Sequence, residues 1–348
     1  MNIKIGAFDL STTSKTFIVA ELSANHNQKF EIALDTVKAA KESGADAIKL
    51  QTYTADTLTI DSQLSFFQIK QGTLWDGKTL YQLYREAFTP WEWQPELKKA
   101  ANQLGLECFS SPFDPSAVDF LEKMEVPAYK VASFEITDIP LIEYIASNGR
   151  PVIISTGIAT LAEIAEAVQA CRRMKNRQIA ILKCTSAYPA PLDEINLKTI
   201  PHLQETFDCV VGLSDHTLGI SVPIAAVALG AKIIEKHFIL DRKLGGPDAE
   251  FSIEPAEFKK MVQSIREAET AMGNINYELS GLIKKNRIFA RSLFATANIK
   301  KGETFTRQNI RSIRPGHGLP PKYLQDILGK HARQDIEMGT PLSFDLIE

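Results

Sequence analysis

His216 and His237 each stand just past a short apolar run, in two consecutive stretches with the pattern strand, turn, helix. Residues 212–238 read GLSDHTLGISVPIAAVALGAKIIEKHF. In a parallel α/β fold the ends of such strands share one edge of the sheet, where ligands bind. A side-chain period of two puts Glu235 and His237 on one face of their strand. Two imidazoles with carboxylates nearby suit a divalent metal that keeps positions open for substrate. Two structural histidines, each satisfied by its neighbours, are the alternative reading of the same residues.

The other expected strands also end in polar groups. They offer Glu21, Lys49, Gln51, Ser110, Ser111, Lys130, Ser133, Glu135, Ser155, Thr156, Ser186, Ser214 and Asp215. One strand ending in lysine or serine means little, because strand ends meet solvent. Nearly a whole set ending so on one rim means a polar site. Two lysines with several hydroxyls suit a phosphate or a carboxylate. No GxxxxGK[ST] loop is present, which argues against a nucleoside triphosphate. Glu21 beside these cations has three readings: an acid or base, a group orienting a sugar hydroxyl, or a salt bridge to Lys49 or Lys130.

These side chains need a scaffold, and the apolar runs supply it. Strands are expected at 17–22, 47–51, 106–109, 128–131, 151–154, 178–183, 209–213 and 231–236. Helical spacing lies between them, as in Phe30, Leu34 and Val37, with Gly44 to end the helix. Asp114 and Pro115 mark a helix start, and Thr160 with Glu163 forms a capping box. Residues 52–90 are long for one connection, and they read as a lid-like insertion with a short helix at 80–87. Eight strand-then-helix units predict an α/β fold, a closed (β/α)8 TIM barrel over 1–273. An open doubly wound sheet is the alternative, but no GxGxxG supports it. Residues 274–289 read as a linker. Residues 290–348 read as a small domain of short strands and turns, small enough to lean on a partner.

Composition narrows the possible partners. With 348 residues, 44% hydrophobic and 23% charged, the chain has enough apolar surface for a large core. A net charge of −3 argues against nucleic acid or a membrane surface as partner. An anionic ligand would then need local cations. The opening MNIKIGAFDLSTTSKTF lacks the apolar segment of a signal peptide. The longest apolar stretch, 220–234, is broken by Pro223, Gly230 and Lys232, so no membrane span and a cytoplasmic location are expected. Cys108, Cys171, Cys184 and Cys209 have no CxxC spacing and are expected to be reduced core thiols.

Taken in order, the motifs are AELSANHN at 20–27, GADAIKLQT at 44–52, FSSPF at 109–113, AYKVASFE at 128–135, STG at 155–157 and CTSAYP at 184–189. GLSDHT at 212–217, EKHF at 235–238, GPD at 246–248, KKGE at 300–303 and IRPGHG at 313–318 follow. The series closely resembles the sialic acid synthase family over nearly the whole chain. That resemblance implies a barrel followed by a small antifreeze-like (SAF) domain, and a domain-swapped homodimer. It implies condensation of phosphoenolpyruvate with an open-chain amino sugar, giving a nine-carbon 2-keto acid and phosphate.

Carried over by motif, Lys49, Ser111, Lys130, Ser133, Ser155 and Ser214 would hold phosphoenolpyruvate. His216 and His237 would bind a divalent metal, manganese or magnesium. Glu21, Tyr188 and Asp248 would face the sugar, and Gln51, Lys183 and Ser186 complete the expected substrate-binding set. Arg314 would enter from the partner subunit. AELSANH, the GTLWDGKTLYQLY insertion at 72–84 and CTSAYPAP are similar to the branch that uses a 6-deoxy diacetamido sugar. Ser186 and Ala187 replace larger residues of the N-acetylneuraminate branch, which also favours a different sugar. Gln28 stands where the family usually has Gly. A turn needing positive φ there would be strained, so that loop is expected to differ.

Overall fold

The computed structural model describes residues 2–70 and 72–348. The chain divides into two units, Met1–Gly273 and Asn274–Glu348.

A hairpin comes first, with β1 (Ile3–Ile5) antiparallel to β2 (Phe8–Leu10). Ile3 and Ile5 are buried and Lys4 between them is exposed, the alternation of a one-sided strand. The Phe8 ring lies 4.9 Å from that of Phe17, and the Ala7 amide donates to Glu107 at 2.8 Å. Both partners begin barrel strands, so the hairpin lies at the strands' N-terminal ends, away from the functional rim.

Eight parallel strands then close a barrel. They are β3 (Phe17–Glu21), β4 (Ala47–Thr52), β5 (Glu107–Pro112), β6 (Tyr129–Val131), β7 (Val152–Ser155), β8 (Ile179–Cys184), β9 (Val210–Asp215) and β10 (Ile233–His237). They follow one another in chain order around the barrel, and β10 pairs with β3. Each expected strand is present with its ends within about three residues. Nearly all strand residues are buried, because side chains fill the inside and helices cover the outside.

The covering helices show the predicted signals. Asp114 accepts amides from Ser116 and Ala117 ahead of helix Pro115–Lys123. Thr160 and Glu163 form a capping box on helix Leu161–Arg173, which buries Ile164, Ala167, Val168 and Cys171 along one stripe. The insertion after β4 contains the expected helix, Leu80–Ala87, capped by Thr79 and Gln82.

The second unit has its own apolar core, including Leu293, Ile299, Phe305, Ile310, Ile336 and Leu342. Its strands β11 (Ser292–Ala295) and β12 (Ile310–Ile313) pair antiparallel. The segment read as a linker contains a helix, Gly281–Asn286, whose start is capped by Ser280. Its polar residues hid a short helix that a serine cap is enough to begin.

Candidate active site

The C-terminal rim of the barrel is built around four buried charges. Lys49 on β4 lies 2.9 Å from Glu21 on β3 and 2.8 Å from Glu235 on β10. Lys130 on β6 reaches the same Glu235 oxygen at 3.2 Å, and Ser214 on β9 donates to it at 3.1 Å. Gln51 donates to Glu21 at 3.2 Å and to Ser23 at 3.0 Å. Burial raises the Glu21 carboxyl to about 7, against the pull of Lys49. Burial also acts to raise Glu235, but the ammoniums of Lys130 and Lys49 outweigh it and hold Glu235 well below the usual carboxylate range. The rim therefore has one fixed carboxylate and one able to carry a proton near neutrality.

Beside this cluster the Ser111 and Ser155 hydroxyls are buried with no partner. An unpartnered buried hydroxyl is costly, so two on one rim point to a ligand that completes them. Ser133 accepts the Gly157 amide at 3.1 Å. A side chain at Gly157 would strike the hydroxyls of Ser186 and Ser133, so glycine keeps that corner open. Glu135, in the turn after β6, has a buried oxygen without a partner, and burial raises its carboxyl to about 7.

The other side of the mouth is aromatic. The Tyr188 ring lies 4.3 Å from the His216 ring, 5.0 Å from Phe251 and 5.6 Å from Trp75. Asp248 accepts from Ser23 and comes within 3.7 Å of His237 Nδ1.

His216 and His237 face each other with ring centroids 5.4 Å apart. His216 Nδ1 lies 3.0 Å from the Thr185 carbonyl, so this nitrogen carries the proton and Nε2 is left as the acceptor. His237 Nδ1 is buried without a hydrogen bond, and burial keeps this imidazole neutral well below its usual pKa.

Two comparisons identify the chain. The NeuB family matches residues 36–277, and the SAF domain matches 290–348. The chain belongs to the NeuB family. A pseudaminic acid synthase of Campylobacter jejuni is 48% identical over 340 residues, covering 98% of each chain. An N,N'-diacetyllegionaminic acid synthase of Legionella pneumophila is 37% identical over 353 residues, covering 100% of this chain and 99% of that one. A solved N-acetylneuraminic acid (sialic acid) synthetase of Leptospira borgpetersenii has a TM-score of 0.73 at 30% identity, covering 82% and 95% of the two chains. The motifs had pointed to this family, and the barrel followed by an SAF domain is the fold they implied.

Within this NeuB-family barrel, most of the expected residues gather at one rim. Glu21, Lys49, Gln51, Lys130, Ser214 and Asp248 join the polar network, Ser133 holds the Gly157 amide beside it, and Ser111 and Ser155 stand open there. Ser186 and Tyr188 lie at the histidine side. Lys183 does not join them. Its ammonium folds back on the Cys184 carbonyl at 2.6 Å and on Thr185, because the next residue, Cys184, takes the inward position on β8. The carboxylates beside the histidines in sequence also serve elsewhere. Glu235 is held by lysines one strand repeat below His237, and Asp215 pairs with Lys236. Arg314 belongs to the second unit, directly after β12, and is exposed. Sequence reasoning left Trp75 inside a long insertion and gave Glu135 no role.

Gln28 does take the left-handed conformation, with φ of 53°. The loop keeps the turn that glycine would favour. The Gln28 side chain donates to the carbonyls of Phe88 at 2.6 Å and Glu86 at 3.1 Å, which offsets strain on the order of 1–2 kcal/mol.

The resemblance also implied a divalent metal. The two facing imidazoles, one with an unpartnered nitrogen, fit such an ion with positions left for water and substrate. Among the described residues no third His, Cys, Asp or Glu completes a cluster around them.

Proposed function

We propose that this NeuB-family enzyme condenses phosphoenolpyruvate with 2,4-diacetamido-2,4,6-trideoxy-L-altrose, giving pseudaminic acid and phosphate. The observation that carries the reaction class is the rim itself. Two buried lysines and two unpartnered serine hydroxyls lie opposite a pair of facing imidazoles. One side suits an enol phosphate and the other a polarised aldehyde. The sugar assignment rests on 48% identity to a pseudaminic acid synthase, against 37% to the diacetyllegionaminic acid enzyme. N-acetylneuraminate and legionaminate synthesis are the same reaction on other amino sugars.

The residues divide the work as follows. Lys49 and Lys130 take the phosphate and carboxylate of phosphoenolpyruvate, while Glu235 keeps both ammoniums charged and aimed. Ser111 and Ser155 donate to the same oxygens. C3 of the enol phosphate attacks the aldehyde carbon, and a C–C bond forms. A divalent ion held by His216 and His237 would supply a Lewis acid for the aldehyde oxygen. Glu21, able to hold a proton near pH 7, gives it to that oxygen as charge develops. Attack leaves C2 electron-poor, and water adds there. Glu135, also poised near 7, takes the water's proton. The tetrahedral adduct then collapses: the lone pair of the new hydroxyl forms the C2 carbonyl, its proton passes to the departing phosphate, and the C2–O bond to phosphate breaks with the electron pair leaving on phosphate. Tyr188 and Asp248 flank the sugar.

A further cation is needed. Glu235 offsets one of the two lysine charges, Glu21 offsets the other once it has given up its proton, and phosphoenolpyruvate brings up to three negative charges more. A domain-swapped homodimer in which Arg314 of each chain reaches the other subunit's barrel would supply it. The described helices include none long and apolar enough to cross a membrane. The four cysteines are buried and unpaired, which fits the reducing cytoplasm.

The test is phosphate release from phosphoenolpyruvate labelled with oxygen-18 at its bridging position. Release should require the diacetamido sugar and carry the label into phosphate. Label retained in the keto acid, or no sugar-dependent release, would overturn the proposal.

A further inference from the structure

The insertion after β4 places one large ring where the functional reading has no residue assigned. Trp75 is half-buried, although its neighbours Leu74 and Asp76 are exposed. Its indole N–H donates to the Pro247 carbonyl at 2.9 Å, and its ring lies 5.6 Å from that of Tyr188. A hydrogen bond at one end and a ring contact at the other fix the indole's orientation. Each contact touches a wall of the sugar side. Tyr188 lies against His216, and Pro247 immediately precedes Asp248, which is held by Ser23.

We propose that Trp75 is a specificity-determining residue that closes the sugar end of the site and selects a sugar with methyl groups over one with hydroxyls at the same positions. This rests on the reading of the site as a nonulosonic acid synthase. The two sides of the mouth contrast. Glu21, Gln51 and Asp248 can hydrogen-bond hydroxyls. On the other side the rings of Trp75 and Tyr188 stand together, backed by the fully buried Phe251, and the Trp75 N–H is already taken by the Pro247 carbonyl. A 6-deoxy carbon or an acetamido methyl loses nothing against such a wall, whereas a 6-hydroxyl loses its water there. The half-exposed indole becomes covered when the sugar is present.

The test compares two sugars, the diacetamido trideoxy sugar and N-acetylmannosamine, with wild type, Trp75→Phe and Trp75→Ala. Trp75→Ala should lower kcat/KM for the diacetamido sugar by about tenfold or more, mainly through the sugar's KM. It should leave N-acetylmannosamine within about twofold, so the preference ratio collapses. The KM for phosphoenolpyruvate and the melting temperature should hold. Trp75→Phe keeps a ring on Tyr188 but loses the bond to Pro247, and should fall between the two. An equal loss on both sugars, or no loss on either, would overturn the inference while wild-type turnover of the diacetamido sugar leaves the functional reading intact. Wild-type enzyme that turns over only N-acetylmannosamine would overturn the sugar reading itself, and the role of Trp75 with it.

Discussion

The Lys49 ammonium lies 2.9 Å from the Glu21 carboxylate, and both side chains are buried at the centre of the barrel mouth. Burial raises the Glu21 carboxyl more than Lys49 lowers it, so Glu21 is the member of the cluster that can exist protonated. Removing the lysine would strand Glu21 and leave Glu235 with Lys130 as its one cation, and Lys49→Met should destabilise the fold by about 3–5 kcal/mol and abolish turnover.

Glu21 makes a sharper prediction through pH. Its carboxyl rises from 4.5 to about 7 on folding, so between those values the folded chain keeps a proton that the unfolded chain has released. This contribution is fully present below 4.5 and is lost as pH rises through 7. Relative to Glu21→Gln, wild type should therefore lose up to about 3 kcal/mol of unfolding free energy across that window. Denaturant titrations of both proteins at several pH values check it. The same substitution should lower kcat about 100-fold or more.

The paired imidazoles predict metal dependence. His216→Ala and His237→Ala should each abolish turnover while the fold and phosphoenolpyruvate binding persist. A chelator should silence wild type, and manganese or magnesium should restore it. Chelated protein with full activity would show that no metal takes part.

Arg314 predicts complementation. Arg314→Ala and His237→Ala proteins should each be inactive and regain partial activity when mixed. In a mixed dimer one barrel keeps its histidines and receives an intact arginine. No rescue after confirmed subunit exchange would place the arginine's action within its own chain.

Much of this was legible because it is local. Apolar runs bounded by glycines and caps marked all eight barrel strands, and Asp114 and Thr160 marked their helices. Polar residues at strand ends named most of the rim, because a barrel brings all its strand ends to one side. What was missed depends on non-local pairing. Nothing near Glu235 in sequence shows that Lys49 and Lys130 claim it from across the barrel. Lys183 looked like its neighbours on the rim, but the inward turn of Cys184 sets it on the opposite face. Trp75 was one aromatic in an insertion until Pro247 and Tyr188 fixed its place. The hairpin of β1 and β2 went unremarked because three-residue strands carry too little periodicity.

A direct competition between sugars decides which one the site is built for. Wild-type enzyme with phosphoenolpyruvate and metal would be offered 2,4-diacetamido-2,4,6-trideoxy-L-altrose, its diacetamido epimers and N-acetylmannosamine, with kcat/KM measured for each by phosphate release. The L-altrose sugar should lead N-acetylmannosamine by about 100-fold or more, since it differs at more than one group and each is worth roughly 1–3 kcal/mol. A higher kcat/KM for N-acetylmannosamine or for another epimer would contradict it.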